Sequence, residues 1–217
     1  LEKSSYKKLL RYRNTNPYFT EAGISKSTSI VLSETDVSET STAAYISDTF
    51  AYGVDYNVPI SEDRSYGYGA ELILTEYTTT IGSPTNVTNF LNEHGDSHFG
   101  IMFKANIVED TRDRTVYATQ GKRQSITSNL FIKPDLDYSY TSIKFSGEYN
   151  TPYRLSFLDM FDWDTVFQIK PQIGIGTGLF GESNLPFHDK YFAGGDRTVR
   201  GYDSGSLGPL RNNTTCT

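Results

Sequence analysis

The feature that most constrains this chain is a period of two in its apolar residues, held over runs too long for most soluble sheets. From Thr49 to Ile60 the even positions read Phe50, Tyr52, Val54, Tyr56, Val58 and Ile60. The odd ones read Thr49, Ala51, Gly53, Asp55, Asn57 and Pro59. Successive side chains of a strand point to opposite faces, so this run has one apolar face and one polar or small face. The pattern recurs in Phe99, Ile101, Phe103, Ala105 and Ile107, in Ile143, Phe145, Gly147 and Tyr149, and in Phe167, Ile169, Ile173 and Ile175. A run from Tyr66 through Tyr68, Ala70 and Leu72 to Leu74, and a weaker one from Gln124 to Ile132, bring the count to roughly seven or eight strands. Each approaches or exceeds the roughly 9–11 residues that cross a bilayer at a tilt, whereas strands of soluble sandwiches run to about 5 or 6. The reading is an all-β chain forming an antiparallel transmembrane β-barrel, with a secreted sandwich or a soluble barrel as the alternative.

Composition agrees with strands and narrows the partners. Sixteen Tyr, thirteen Phe and eighteen Gly stand against one Trp and two Met among 217 residues. Aromatic side chains suit a pleated surface and Gly suits bends, so long helices are not expected. A net charge of −6 offers no basic face for phosphates, which argues against nucleic-acid binding. No stretch reaches the roughly 18 apolar residues of a membrane-spanning helix, and Leu1 is not followed by a basic and then apolar signal segment. A mean hydropathy of −0.47 suits a barrel, whose strands are only half apolar. The lone Cys216 excludes a disulfide within the chain and leaves a free thiol or a partner beyond the last residue.

The connections alternate in character. Asn57 to Arg64 is short, Asp110 to Gln124 is a polar turn region, and Asp135 to Asp137 is tight. Thr78 to Ser97 is long and polar and is expected as a loop on the outer face. Thr151 to Asp164 is mixed, with Pro152 and a Phe161-Asp162-Trp163-Asp164 corner. The basic segment with Lys3, Lys7, Lys8, Arg11 and Arg13 reads as a strand end or solvated edge rather than a membrane-surface or partner-binding stretch.

Little here points to catalysis. His94, His98 and His188 include no pair at zinc-site spacing, so no metal is expected, and His94 and His98 read as solvated. Gly176-Thr177-Gly178-Leu179-Phe180-Gly181 matches the dinucleotide fingerprint by letter. No helical period follows to aim amides at a pyrophosphate, so the glycines read as a flexible exit from a strand into a long loop. No Gly-x-Ser-x-Gly elbow occurs, and Asp110, Asp113, Asp162 and Asp164 sit in turns, where such side chains cap their own backbone. The chain is not expected to be an enzyme.

The run KYFAGGDRTVRGYDSGSLGP, Lys190 to Pro209, resembles the loop-six signature of the BamA family, the central subunits of the bacterial machine that assembles outer-membrane barrels. Two more stretches resemble the same family in the same order: NPYFTEAGIS from Asn16 to Ser25, and VEDTRDRTVYATQGKR from Val108 to Arg123. One departure is Ala118, where the family usually carries Pro; the segment before Asn16 also matches poorly.

The resemblance implies about half of a sixteen-strand barrel, roughly strands 3 to 11 plus part of loop six, with 176–217 a long extracellular loop folding into the lumen. It implies a protein of the bacterial outer membrane that inserts other barrels there without covalent chemistry or cofactor. Its partners would be unfolded outer-membrane proteins, accessory assembly lipoproteins and the lipid bilayer. The periplasmic POTRA domains, and the first and last strands, would lie outside these residues. The site residues implied are Gly194, Gly195, Val199, Arg200, Gly201 and Tyr202 in the loop. In the periplasmic turns they are Asn16, Pro17, Tyr18 and Phe19, then Asp110, Arg112, Asp113 and Gly121. Arg200 would reach an acidic residue on a later strand, and Cys216 would pair with a thiol beyond the chain. A two-partner-secretion translocator, which shares the Arg-Gly-Tyr-like loop, a passive porin and a soluble adhesin-like β domain are the rival functions.

Overall fold

The computed structural model describes residues 2–3, 7–36, 45–81, 83–153, 165–181, 185–191, 193–195, 199–202, 207, 210–211 and 214–215. Strands β1 (Glu2–Lys3), β2 (Lys7–Asn16), β3 (Ser25–Asp36), β4 (Tyr45–Pro59) and β5 (Arg64–Thr79) come first. Helix α1 (Thr85–His94) follows, then β6 (Ser97–Asp110), β7 (Gly121–Ile132), β8 (Ser139–Pro152), β9 (Val166–Ile169) and β10 (Gln172–Leu179). These strands form one ten-stranded antiparallel sheet, each pairing with its neighbour in sequence, and both β9 and β10 pair with β8. A separate two-stranded piece joins β11 (Leu210–Arg211) to β12 (Thr214–Thr215). The sheet is open, and its strands of up to 16 residues match the expected membrane-crossing length.

Register turns the sequence alternation into rows. Leu10, Leu32, Phe50, Leu74 and Phe99 are cross-strand partners in turn, as are Tyr12, Ile30, Tyr52, Leu72, Ile101 and Ile132. Val58, Tyr66, Ile107, Ile126, Phe145 and Ile173 form a third apolar row nearer the short turns. Most of these side chains are exposed, a band far wider than the apolar patch of a soluble monomer. Lipid is the solvent that makes such a face favourable. The opposite face carries Arg13, Ser29, Gly53, Glu71, Met102, Phe131 and Tyr140 in register, polar at one side and aromatic at the other. Lys104 reaches Glu71 on this polar face.

Several boundaries differ from the sequence expectation. The basic N-terminal segment is a full ten-residue strand paired with β3 along its whole length, and exposed ion pairs of Lys8 with Glu34 (2.7 Å) and Arg13 with Asp55 (3.6 Å) offset its charges. The run Phe167 to Ile175 is two strands separated at Lys170-Pro171. Proline has no N–H for the ladder, although its carbonyl still accepts from the Gly147 amide (2.9 Å). Gly147 faces this break, where a Cβ would stand 3.2 Å from the Pro171 ring and 2.8 Å from that of Tyr149. Register continues across it, since Tyr149 pairs with Ile169 and Ser146 with Gln172. Strand β10 runs to Leu179, so Gly176 and Gly178 are paired strand residues rather than the start of a flexible loop.

The region Thr78 to Ser97 is not all loop. Val87, Phe90 and Leu91 sit at i, i+3 and i+4, enough to give α1 one apolar side, and Gly95 at φ 81 ends the helix with its N–H on the Leu91 carbonyl. The polar composition around those three residues hid the short period.

Candidate functional site

The short-turn end holds two of the sequence motifs. After β2, the Asn16 side chain accepts the Tyr18 N–H (3.1 Å), an Asx turn, and the Phe19 N–H reaches the Ile24 carbonyl (2.9 Å). Pro17 suits this turn because its ring fixes φ. Phe19 meets Tyr56 edge-on (5.9 Å), Tyr56 stacks on Tyr68 (5.4 Å), and the Lys26 ammonium lies 5.1 Å from the Phe19 ring. Together with the exposed Tyr18, these rings make an aromatic belt where the strands leave the apolar band.

The second turn, between β6 and β7, is built on charge. Arg112 donates two bonds to the Asp110 carboxylate (2.8 Å each) and one to Glu148 on β8 (3.3 Å). Its side chain is largely covered, at 9% exposed, and these acceptors hold the guanidinium protonated, Asp110 contributing most. Asp113 accepts from the Thr119 hydroxyl (2.6 Å), the Thr119 N–H (2.9 Å) and the Gln120 N–H (3.3 Å). The Thr119 hydroxyl leads in pulling this carboxyl well below the usual carboxylate range. Gly121 has φ 94, and a Cβ there would stand 2.3 Å from the Thr111 carbonyl oxygen, so both conformation and space demand glycine. Ala118 is buried, and Tyr117 projects with 89% of its surface exposed at φ 54.

The opposite end is packed rather than charged. Val87 of α1, 1% exposed, clusters with Tyr77 and Phe187, the latter on a short 3₁₀ turn, Phe187–Asp189. Phe90 lies 5.3 Å from Phe187 and 5.1 Å from Tyr138, both edge-on. His98, expected to be solvated, is 2% exposed, with Tyr77, Phe90 and Tyr138 around it; the helix that covers it was not foreseen. His94 is also covered: it ends α1 and meets the Asp137 carboxylate at 2.9 Å. That bond is the first cause holding Asp137 below its ordinary value, and Lys133 adds to it (3.2 Å). Burial pushes His188 down to about 4.

The long C-terminal loop begins on this packed end. The Tyr191 hydroxyl shares its one proton between the carbonyls of Ile143 and Ile175 (3.4 Å each). Beyond it the motif makes a hairpin: the Leu207 N–H bonds Ala193 (3.0 Å) and the Gly195 N–H bonds Tyr202 (2.9 Å). Gly194, Gly195 and Gly201 all have positive φ, at 112, 92 and 88, which explains glycine at these points of the turn. Val199, Arg200, Gly201 and Tyr202 form an exposed tip, and among the described residues no carboxylate pairs with Arg200. Cys216 and the corner 161–164 lie outside the described residues.

The structure thus gathers Asp110, Arg112, Asp113 and Gly121 into one turn of the sheet and, outside the sheet, brings Gly195 against Tyr202. Sequence reasoning missed Glu148, because nothing local marks it as the third partner of Arg112. It also missed Phe187, and it placed Tyr191 in the loop motif without the packing on β10 that seats it.

The Omp85 superfamily domain matches residues 1–215. Outer membrane protein assembly factor BamA of Neisseria meningitidis serogroup B is 24% identical over 205 residues, which are 90% of this chain and 25% of that protein. SAM50-like protein CG7639 of Drosophila melanogaster is 24% identical over 131 residues, 57% of this chain and 26% of that protein. The crystal structure of BamA from Haemophilus ducreyi lacking POTRA domains 1–3 aligns with a TM-score of 0.80 at 21% identity, covering 95% of this chain and 40% of that one. The chain spans about a quarter of the length of these two curated relatives.

Proposed function

Because the chain belongs to the Omp85 superfamily and is part of an outer-membrane β-barrel, we propose that its parent protein folds and inserts β-barrel proteins into the bacterial outer membrane. The observation that carries this reading is likeness along 90% of the chain to a protein named as an assembly factor. The work needs no covalent chemistry. An opened seam between strands presents a row of unpaired N–H and C=O groups, and an incoming strand pairs with them by β-augmentation. Unfolded outer-membrane proteins are the substrates, accessory lipoproteins the partners, and the apolar rows of the sheet meet the bilayer.

In this reading the long C-terminal loop folds into the lumen. Support comes from residues 185–191, which lie against the polar face of the sheet. Arg200, at the tip, then meets a carboxylate on a strand after the loop, since a guanidinium taken from water needs such a partner and its planar donors fit one bidentately. Cys216 pairs with a later thiol. The test is replacement of the native protein by full-length Arg200→Ala in depleted cells. Reduced barrel assembly and growth are expected, and undiminished assembly at normal protein levels refutes the role of Arg200.

A further inference from the structure

Strand β10 carries glycine at 174, 176 and 178, all on the polar face, opposite Lys144, Ser142 and Tyr140. Glycine inside a strand costs stability, because it packs nothing and loses more backbone freedom than other residues. Gly174 and Gly176 do not have the positive φ that would require glycine. Space explains them. A Cβ on Gly174 would stand 2.5–2.7 Å from the Tyr191 ring, and one on Gly176 would stand 2.5 Å from Leu185 Cδ1. Tyr191 is also hydrogen-bonded to backbone carbonyls on both strands beneath it, and Phe187, between the two seated side chains in sequence, is held by Val87 of α1 and by Tyr77.

We propose that the glycine face of β10 is the seat of the long C-terminal loop, and that Gly174 and Gly176 are positioning residues that fix where the Val199–Tyr202 turn is held. Tyr191 stands two residues before the Ala193–Leu207 bridge that closes the base of the hairpin. Seating its ring in the Gly174 notch therefore sets the origin of the hairpin, while Val87 and Phe90 of α1 hold Phe187 of the same segment. Gly176, the first glycine of the run that imitates a nucleotide fingerprint, serves with Gly174 as a flat bed for side chains of the same chain.

The experiment uses the full-length protein in outer membranes and follows tryptic cleavage after Lys190 by mass spectrometry. Gly174→Ala should speed that cleavage about tenfold, as overpacking of this size lifts the ring from its notch. Tyr191→Ala should also speed it, and adding Gly174→Ala to Tyr191→Ala should change nothing more. Gly53→Ala, on the same face in β4 with Ser29 Oγ at 3.2 Å as its nearest neighbour, should leave cleavage at the native rate. Unchanged cleavage in folded Gly174→Ala, or additive effects in the double variant, overturns the seat. If Gly174→Ala fails to fold, recovery of folding in the double variant supports the seat and continued failure overturns it. The bearing of the seat on assembly rests on the function proposed above. Faster cleavage with undiminished assembly would leave the seat standing and count against the loop's part in that function.

Discussion

At the short-turn end, Arg112 and Asp113 tie residues 111–120 together with charged and backbone hydrogen bonds. At the other end, α1 and residues 185–191 are held by rings packed on rings, with Val87, Phe90, Phe187 and Tyr138 at the centre. The first kind of bonding is directional and local in sequence, so a turn held this way keeps its shape whatever lies beyond it. The second joins segments about a hundred residues apart, is non-directional, and yields to anything that wets or charges it. The difference suits a barrel whose turns are fixed and whose long loop has to be placed.

The contrast can be broken at its strongest point first. Phe187→Ala removes a buried ring and should cost about 3 kcal/mol of loop docking, with the sheet kept. Proteolysis of 185–191 should rise sharply while heat-modifiable migration in gels stays native. Next, Arg112→Ala leaves Asp110 and Glu148 without their shared donor and should cost about 2 kcal/mol, read as a lower unfolding midpoint in urea. The loop end should remain protected; if both ends loosen together, the two are one cooperative unit and the comparison fails.

Acid should separate them without mutation. His188 is held near 4, below the ordinary value of about 6.5, so the released loop takes up a proton that the docked loop refuses. Docking is then strongest above pH 6.5 and weakens as pH falls from 6.5 towards 4. The Asp189 carboxylate opposes the shift, and His98 and Tyr77 line the same pocket. Hydrogen exchange at 185–191 should quicken across this window while 111–120 holds, and His188→Gln should flatten the response. The smallest effect is expected at Tyr117, whose φ of 54 suits Asn or Gly better; Tyr117→Asn should stabilise the turn by roughly 0.5 kcal/mol, visible as a slight rise in the same urea midpoint.

The same division decided what could be read from the sequence. Alternation gave the strands and their lipid-facing side, because a period of two maps directly onto a pleated sheet. The turn around Asp110 to Gly121 was legible, because its hydrogen bonds run between near neighbours and its glycine answers a local demand. Helix α1 was not, since three apolar residues in a polar stretch signal little until Tyr77 and Phe187 are there to bury them. His98 and His94 were read as solvated for the same reason. Gly176 and Gly178 read as a flexible exit because what fills the space above Gly176 arrives from Leu185, beyond any local pattern.

The break at Pro171 has a further consequence for how this sheet can be extended. A residue in an antiparallel strand points its N–H and its C=O to the same side, and the Pro171 carbonyl points to β8, where it meets the Gly147 amide. The donor that proline lacks is therefore missing from the inner side alone. Lys170 and Gln172, on either side of it, turn their polar backbone outward, and the edge offered to a following strand is whole. The defect also links two positions that lie far apart in the chain. A side chain at 147 would meet the Tyr149 ring at 2.8 Å and the Pro171 ring at 3.2 Å, so what position 147 tolerates depends in part on the proline opposite it.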